Sequence, residues 1–317
     1  MSAIDTLFRE FRASGRKAFM PFVTAGDPDL DFTAEVIRRL AKRGCSLFEL
    51  GIPYSDPIAD GPVIQASYTR ALGHKIKLAD ILAMVGRLTG SGVAGNALAA
   101  AGTAGNGLAA AGTAGNGLAA AGTAACGGSG ADVPSAAKCC DSCPPIVTML
   151  SYAIVFRQGL ERYVADAKAA GVSGAIVPDL PVEEAGPLAE ICRREDFSLI
   201  QLITPTTPRD RALRIAERTT GFIYYVSVTG ITGERTALPP EIIDNVGWLR
   251  RQTPLPICIG FGISRPEHVR MLAPVADGLI VGSAIVRHLA ETATKPREQV
   301  LDEIGNYASE LLAAMGQ

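Results

Sequence analysis

Glu49 is the only charged residue in a short apolar run, 47–50, that lies between Gly44 and Gly51 and reads as a buried strand. An ionised carboxylate there is costly unless paired. Its pKa should therefore rise toward the range in which one carboxyl group can both give and take a proton. On the loop that follows, Pro53 and Pro57 restrict where Asp56 and Asp60 can go. Two carboxyl groups in different settings, one buried and one on a stiff loop, are suited to acid–base chemistry. The plainer alternative is a structural Glu49 bonded to backbone N–H groups.

A second chemical signature lies late in the chain. Glycine-containing turns follow three apolar runs, at 230–236, 261–264 and 282–283, the last opening a helix at Ala284. Backbone N–H groups at such turns and helix starts can hold a phosphate without a lysine or arginine. One glycine alone says little, because tight turns favour glycine anyway. Three in succession make phosphate binding the expectation. His74, His268 and His288 are scattered and fall in no motif, Trp248 reads as helix packing, and Cys45, Cys192 and Cys258 read as small core residues.

The elements that must position these groups are short apolar runs at 18–24, 47–51, 146–150, 174–177, 199–203, 222–227, 256–260 and 278–281. Helical patterns alternate with them at 31–43, 78–88, 160–170, 182–194, 209–218, 240–251 and 266–272. Continuous apolar runs fit parallel strands buried on both faces. Eight such strands, each followed by a helix, predict a (β/α)₈ barrel, with an open doubly wound sheet as the alternative. In barrels the loops after strands seven and eight are the usual phosphate cradle, which is where two of the glycine turns fall. Ile4, Leu7, Phe8 and Phe11 predict an extra N-terminal amphipathic helix. Val300, Leu301, Ile304, Tyr307, Ala308, Leu311 and Leu312 predict a final helix packed on the outside.

One segment departs from this pattern. Residues 89–143 contain three near-identical decapeptides, starting at Ala94, Ala104 and Ala114, then a Gly/Ser-rich piece. Recurrent glycine and one leucine per repeat offer almost no core, so a flexible low-complexity insertion is expected. The domain reading is a single barrel formed by 1–88 and 144–317. The insertion falls on a helix-to-strand connection, at the end of a barrel opposite an active site. Cys126, Cys139, Cys140 and Cys143 lie in it. Cys140 and Cys143 have zinc-compatible spacing but no second spaced pair accompanies them, so incidental thiols and no metal are expected.

The 317 residues carry a net charge of −2 with acids and bases mixed, which argues against nucleic acid or an anionic membrane as partner. No run is apolar and long enough for a membrane span, and the N-terminus lacks the apolar core of a signal peptide. Seven cysteines without a secretion signal fit a reducing cytoplasm.

The motifs at 19–28, 49–62, 179–184, 230–233, 260–264 and 281–286, in that order and at those separations, resemble the tryptophan synthase alpha subunit family over nearly the whole chain outside the insertion. The resemblance implies a barrel that cleaves indole-3-glycerol phosphate to indole and glyceraldehyde 3-phosphate, in the last steps of tryptophan biosynthesis. It also implies a beta-subunit partner that receives the indole and carries pyridoxal phosphate, with no cofactor in this chain. Carried over by motif, Glu49 is the catalytic acid–base and Asp60 the second catalytic carboxylate. Phe22, Leu150, Tyr152, Tyr224, Thr232 and Phe261 would line the substrate pocket, with plain core packing as the other reading for the aromatics and Leu150. Gly233, Gly262, Gly282 and Ser283 would bind the phosphate. Thr232 would lie on a loop that closes over the site, and Asp179, Asp56 and Pro57 would face the partner. Ala153-Ile154 departs from the Asn-Pro of many members. A stand-alone lyase and a non-catalytic barrel partner remain as alternatives.

Overall fold

The computed structural model describes residues 1–57, 60–91, 143–226, 240–260 and 262–316. Every apolar run becomes a strand: β1 (Ala18–Thr24), β2 (Phe48–Gly51), β3 (Ile146–Met149), β4 (Val172–Ile176), β5 (Ser198–Ile200), β6 (Leu202–Ile203), β7 (Ile223–Val226), β8 (Ile257–Gly260) and β9 (Gly278–Val281). All pairings are parallel, in the order β5-β4-β3-β2-β1-β9-β8-β7-β6. Only Gln201 separates β5 from β6, so these are two halves of one strand, the first bonded to β4 and the second to β7. The sheet therefore closes on itself as eight strands. This is the (β/α)₈ barrel, and the open sheet is excluded.

The helices are α1 (Ala3–Ser14), α2 (Leu30–Lys42), α3 (Pro62–Gly73), α4 (Leu78–Thr89), α5 (Tyr152–Gln158), α6 (Leu160–Ala169), α7 (Gly186–Arg194), α8 (Arg209–Arg218), α9 (Pro240–Gln252), α10 (Pro266–Leu272), α11 (Ser283–Ala290) and α12 (Arg297–Ala314). Helix α1 begins at a capping box, in which the Ser2 hydroxyl accepts from the Asp5 N–H and the Asp5 carboxylate from the Ser2 N–H. It buries Ile4, Phe8 and Phe11, with Phe8 packed on Phe222 at 5.7 Å between ring centres. Phe222 and Ser198, the latter bonded to Ser2, stand at strand starts, so α1 covers the N-terminal end of the barrel. Helix α12 buries Val300, Leu301, Ile304, Ala308, Leu311 and Leu312 against the outside of the barrel, and Arg39 of α2 reaches its Glu298 and Asp302.

Three local differences from the sequence reading have physical causes. The helix expected over 182–194 starts at Gly186, because Pro187 fits only the first turn of a helix and the residues before it form a turn. Helix α3 opens at Gly61-Pro62, a pair that reads as a loop but supplies an N-cap and a proline at the first helical position. Helix α5 is only seven residues long, too short for a periodic signal. Thr89 closes α4 and Gly90 caps it at φ +70°, so α4 runs one residue into the expected insertion. Its residues 92–142, with Cys126, Cys139 and Cys140, lie outside the described residues. Cys143 precedes β3 and is half-buried. No described helix is long and apolar enough to cross a membrane.

Candidate active site

A cavity of about 310 Å³ opens at the C-terminal ends of the strands. Phe22 of β1, Glu49 of β2, Leu202 of β6, and Tyr224 and Val226 of β7 wall it. Ile64 of α3, Met149 of β3 and Ile263 after β8 add apolar surface. Glu49 lies at the level of Phe22 and Val147 in the parallel registers of β1 and β3, so its side chain enters the barrel beside an aromatic ring. It is 1% exposed, and neither carboxylate oxygen has a hydrogen-bond partner among the described residues. The structural reading of Glu49 requires N–H donors, and the described residues supply none. Burial pushes its pKa up to about 8, and the charge of Asp60 adds to the rise. At neutral pH this carboxyl group is mainly protonated and within reach of exchange.

Asp60 sits at the cavity rim, just before α3. Its own pKa is also raised by burial, and a hydrogen bond from the Tyr54 hydroxyl to Oδ2, at 3.1 Å, opposes that rise. Tyr54 is held in turn by ring packing on the fully buried Tyr68, at 5.4 Å. The Gln65 amide donates to the Asp60 carbonyl at 2.7 Å and to the Pro57 carbonyl at 3.2 Å, tying the loop to the first turn of α3. Helix α3 is anchored lower down: buried Asp27 accepts from Ser67 and, at 2.6 and 3.0 Å, from Arg70. One oxygen of Asp60 is thus fixed by Tyr54, and among the described residues no donor is bonded to the other. Tyr54→Phe is expected to lower kcat/KM for the reaction proposed below by about three- to tenfold. The loss should be larger on the acidic side, because the Asp60 pKa rises further without its donor. A pH series of kcat/KM on the variant checks this.

The turns after β8 and β9 complete the wall. Gly262 adopts φ +79°, a conformation that favours glycine. Among the described residues no side chain caps the start of α11 at Gly282, so none of them takes its first N–H groups from solvent or a ligand. A Cβ on Gly282 would point toward Phe22 and Ile64, both cavity residues, and fill the space between. A Cβ on Gly260 would lie 2.4 Å from the Tyr224 ring and 2.6 Å from its hydroxyl. Gly260→Ala should therefore displace Tyr224, at a cost of about 1–3 kcal/mol in stability. Thermal unfolding alongside kcat/KM checks this, with a drop in both expected.

Comparison with known proteins identifies the lineage. The family described as "Tryptophan synthase alpha chain" matches residues 8–94 and 134–315, and leaves most of the repeats outside the match. The chain belongs to this family. The tryptophan synthase alpha chain of Rhodopirellula baltica is 49% identical over 310 residues, covering 98% of this chain and 95% of that one. That of Rippkaea orientalis is 37% identical, covering 99% and 98%. Tryptophan synthase subunit alpha from Legionella pneumophila has a crystal structure with TM-score 0.77 at 29% identity, covering 100% of this chain and 99% of that one. The A-subunit from Pyrococcus furiosus gives 0.71 at 32%, covering 93% and 98%. As a tryptophan synthase alpha chain, the protein is a lyase of tryptophan biosynthesis.

Of the residues brought forward for a tryptophan synthase alpha chain, the cavity gathers Phe22, Glu49, Asp60, Tyr224, Gly262, Gly282 and Ser283. Leu150 is fully buried but does not line it; its neighbour Met149 does. Tyr152 is also outside the lining, half-buried at the start of α5 with its ring on Phe156. Asp179 is exposed and caps α5 from another loop, accepting from Ser151 Oγ at 2.6 Å and from the Tyr152 N–H at 2.7 Å. Asp56 is exposed and Pro57 half-buried on the loop before α3. Thr232, Gly233 and Phe261 lie outside the described residues. Sequence reasoning missed Tyr54, Leu202 and Val226. The last two follow from alternation, since Leu202 pairs with Tyr224 and Val226 is two residues on. Tyr54 had no such signal. His288, Glu291 and Glu303 converge closely enough to share a cation, but the Lys295 ammonium already serves the two acids at 2.6 and 2.8 Å.

Proposed function

We propose that the cavity cleaves indole-3-glycerol phosphate to indole and glyceraldehyde 3-phosphate by a retro-aldol reaction. The observation that carries this reading is Glu49, a buried carboxyl group with no partner among the described residues and a pKa near neutrality, facing an apolar cavity. Protonated Glu49 delivers its proton to C3 of the indole ring, which places positive charge on the ring nitrogen. The Asp60 carboxylate stabilises that charge. The resulting Glu49 carboxylate takes the proton of the adjacent glycerol hydroxyl. The carbon–carbon bond then breaks, its electrons return to the indole, the aldehyde forms, and Glu49 is again protonated. Phe22 and Tyr224 would hold the indole. The turns at Gly262, Gly282 and Ser283, with Gly233, would hold the phosphate, and Thr232 and Phe261 would complete the pocket. Leu150 and Tyr152 would support it from behind Met149 and Asp179. The name alpha chain implies a beta-chain partner, which would receive the indole, carry the pyridoxal phosphate and meet Asp56, Pro57 and the Asp179 loop.

The test is release of glyceraldehyde 3-phosphate from indole-3-glycerol phosphate, with and without a tryptophan synthase beta chain. A slow basal rate that rises sharply with the beta chain supports lyase and partnership together. A rate indifferent to it removes the partnership, and no turnover by folded protein removes the lyase.

A further inference from the structure

We propose that Arg287 recognises the substrate's phosphate monoester by charge, an inference that rests on the phosphate reading of this cavity. Around the barrel, Glu49 and Asp60 belong to β2 and its loop. Gly262, Ser264, Gly282 and Ser283 follow β8 and β9, with β1 between the two groups. A ligand with one anionic end is repelled by the Asp60 carboxylate and accepted on the β8–β9 side. The glycine turns and the start of α11 offer N–H groups there, which are short-range and carry no full charge. Arg287 lies four residues beyond Ser283, on the same face of α11, and lines the same cavity. It is the only cationic side chain among the described lining residues.

Its neighbours sharpen the point. Lys295 is committed to Glu291 and Glu303, and Arg297 to Asp29, whereas no carboxylate pairs with Arg287 among the described residues. Arg287 is exposed, so its guanidinium, unpaired among the described residues, stands at the cavity mouth at little desolvation cost. A guanidinium matches a phosphate dianion in charge and in two-pronged donor geometry. That the cavity takes a ligand is indicated independently by Glu49, unpartnered among the described residues and 1% exposed within it.

The experiment compares wild type, Arg287→Gln and Arg287→Lys by calorimetric titration with inorganic phosphate and, separately, with indole, alongside steady-state kinetics on indole-3-glycerol phosphate. Arg287→Gln is expected to weaken phosphate and to raise KM by about tenfold each, with kcat nearly unchanged. Indole affinity should hold, and Arg287→Lys should recover most of the loss. Unchanged phosphate affinity and KM in Arg287→Gln would overturn the role of Arg287 while leaving the phosphate site standing. A wild type that binds no phosphate would overturn both. A matching loss of indole binding would show a damaged cavity and overturn recognition by charge.

Discussion

Glu49→Gln is expected to fold and to lose turnover by about 10³-fold or more, since one carboxyl group performs both proton transfers and an amide performs neither. Substrate binding should survive, because the amide has nearly the same shape and the indole wall is untouched. The pH profile of the wild type carries the same assignment. Proton delivery to carbon needs protonated Glu49, so kcat/KM should fall as pH rises through about 8. Stabilisation of the ring nitrogen needs ionised Asp60, whose pKa is raised by burial, so the acidic limb should lie above the usual carboxylate range. Retained turnover in Glu49→Gln would sink the acid–base assignment.

The same substitution should stabilise the protein. Glu49 is held protonated in the fold up to about pH 8, while in the unfolded chain it ionises near the ordinary glutamate value of 4.5. Below that value both states are protonated and nothing is lost. As pH rises from 4.5 toward 8 the unfolded state gains from ionisation and the folded state does not, so stability declines across that window and is flat above it. Glutamine has no such loss. Each tenfold difference in proton affinity between the folded and unfolded chain is worth about 1.4 kcal/mol. At pH 8 the variant should therefore exceed the wild type by a few kcal/mol and melt several degrees higher. The gap should vanish near pH 4. A rise in stability with a collapse in rate is the signature of a group kept for chemistry at the expense of the fold.

The barrel was legible because its strands are buried on both faces, which writes them as uninterrupted apolar runs; 18–24 and 278–281 match their strands end to end. Glu49 was legible for the same reason, as one charge in such a run. What remained hidden depends on contacts between distant segments. The start of α5 is capped by Asp179, twenty-eight positions beyond Ser151, and no local pattern carries that bond. Tyr54 acquires its role only because α3 returns Tyr68 beneath it while the loop it shares with Asp60 bends Asp60 beside it. Arg287 reads as an ordinary exposed helix residue until the closed barrel sets it at the mouth of the cavity.

Asp60→Asn is the second large effect, with kcat expected to fall by about 10²- to 10³-fold, the usual scale for losing one preorganised charge or donor at a developing ion. The amide keeps the size of the side chain and can still accept from Tyr54, so the loop should hold its place and KM should change little. What goes is the negative charge that meets the ring nitrogen as C3 is protonated. A second consequence separates this from a loose loop. The charge of Asp60 is one of the two causes that raise the Glu49 pKa, so its removal should move the alkaline limb of the residual activity to lower pH. Burial remains the larger cause, and the limb should stay well above the ordinary carboxylate range. A wild-type rate would remove Asp60 from the mechanism. A slow rate with an unmoved limb would mean that the two carboxyl groups do not sense each other, and that the loss came from geometry rather than charge.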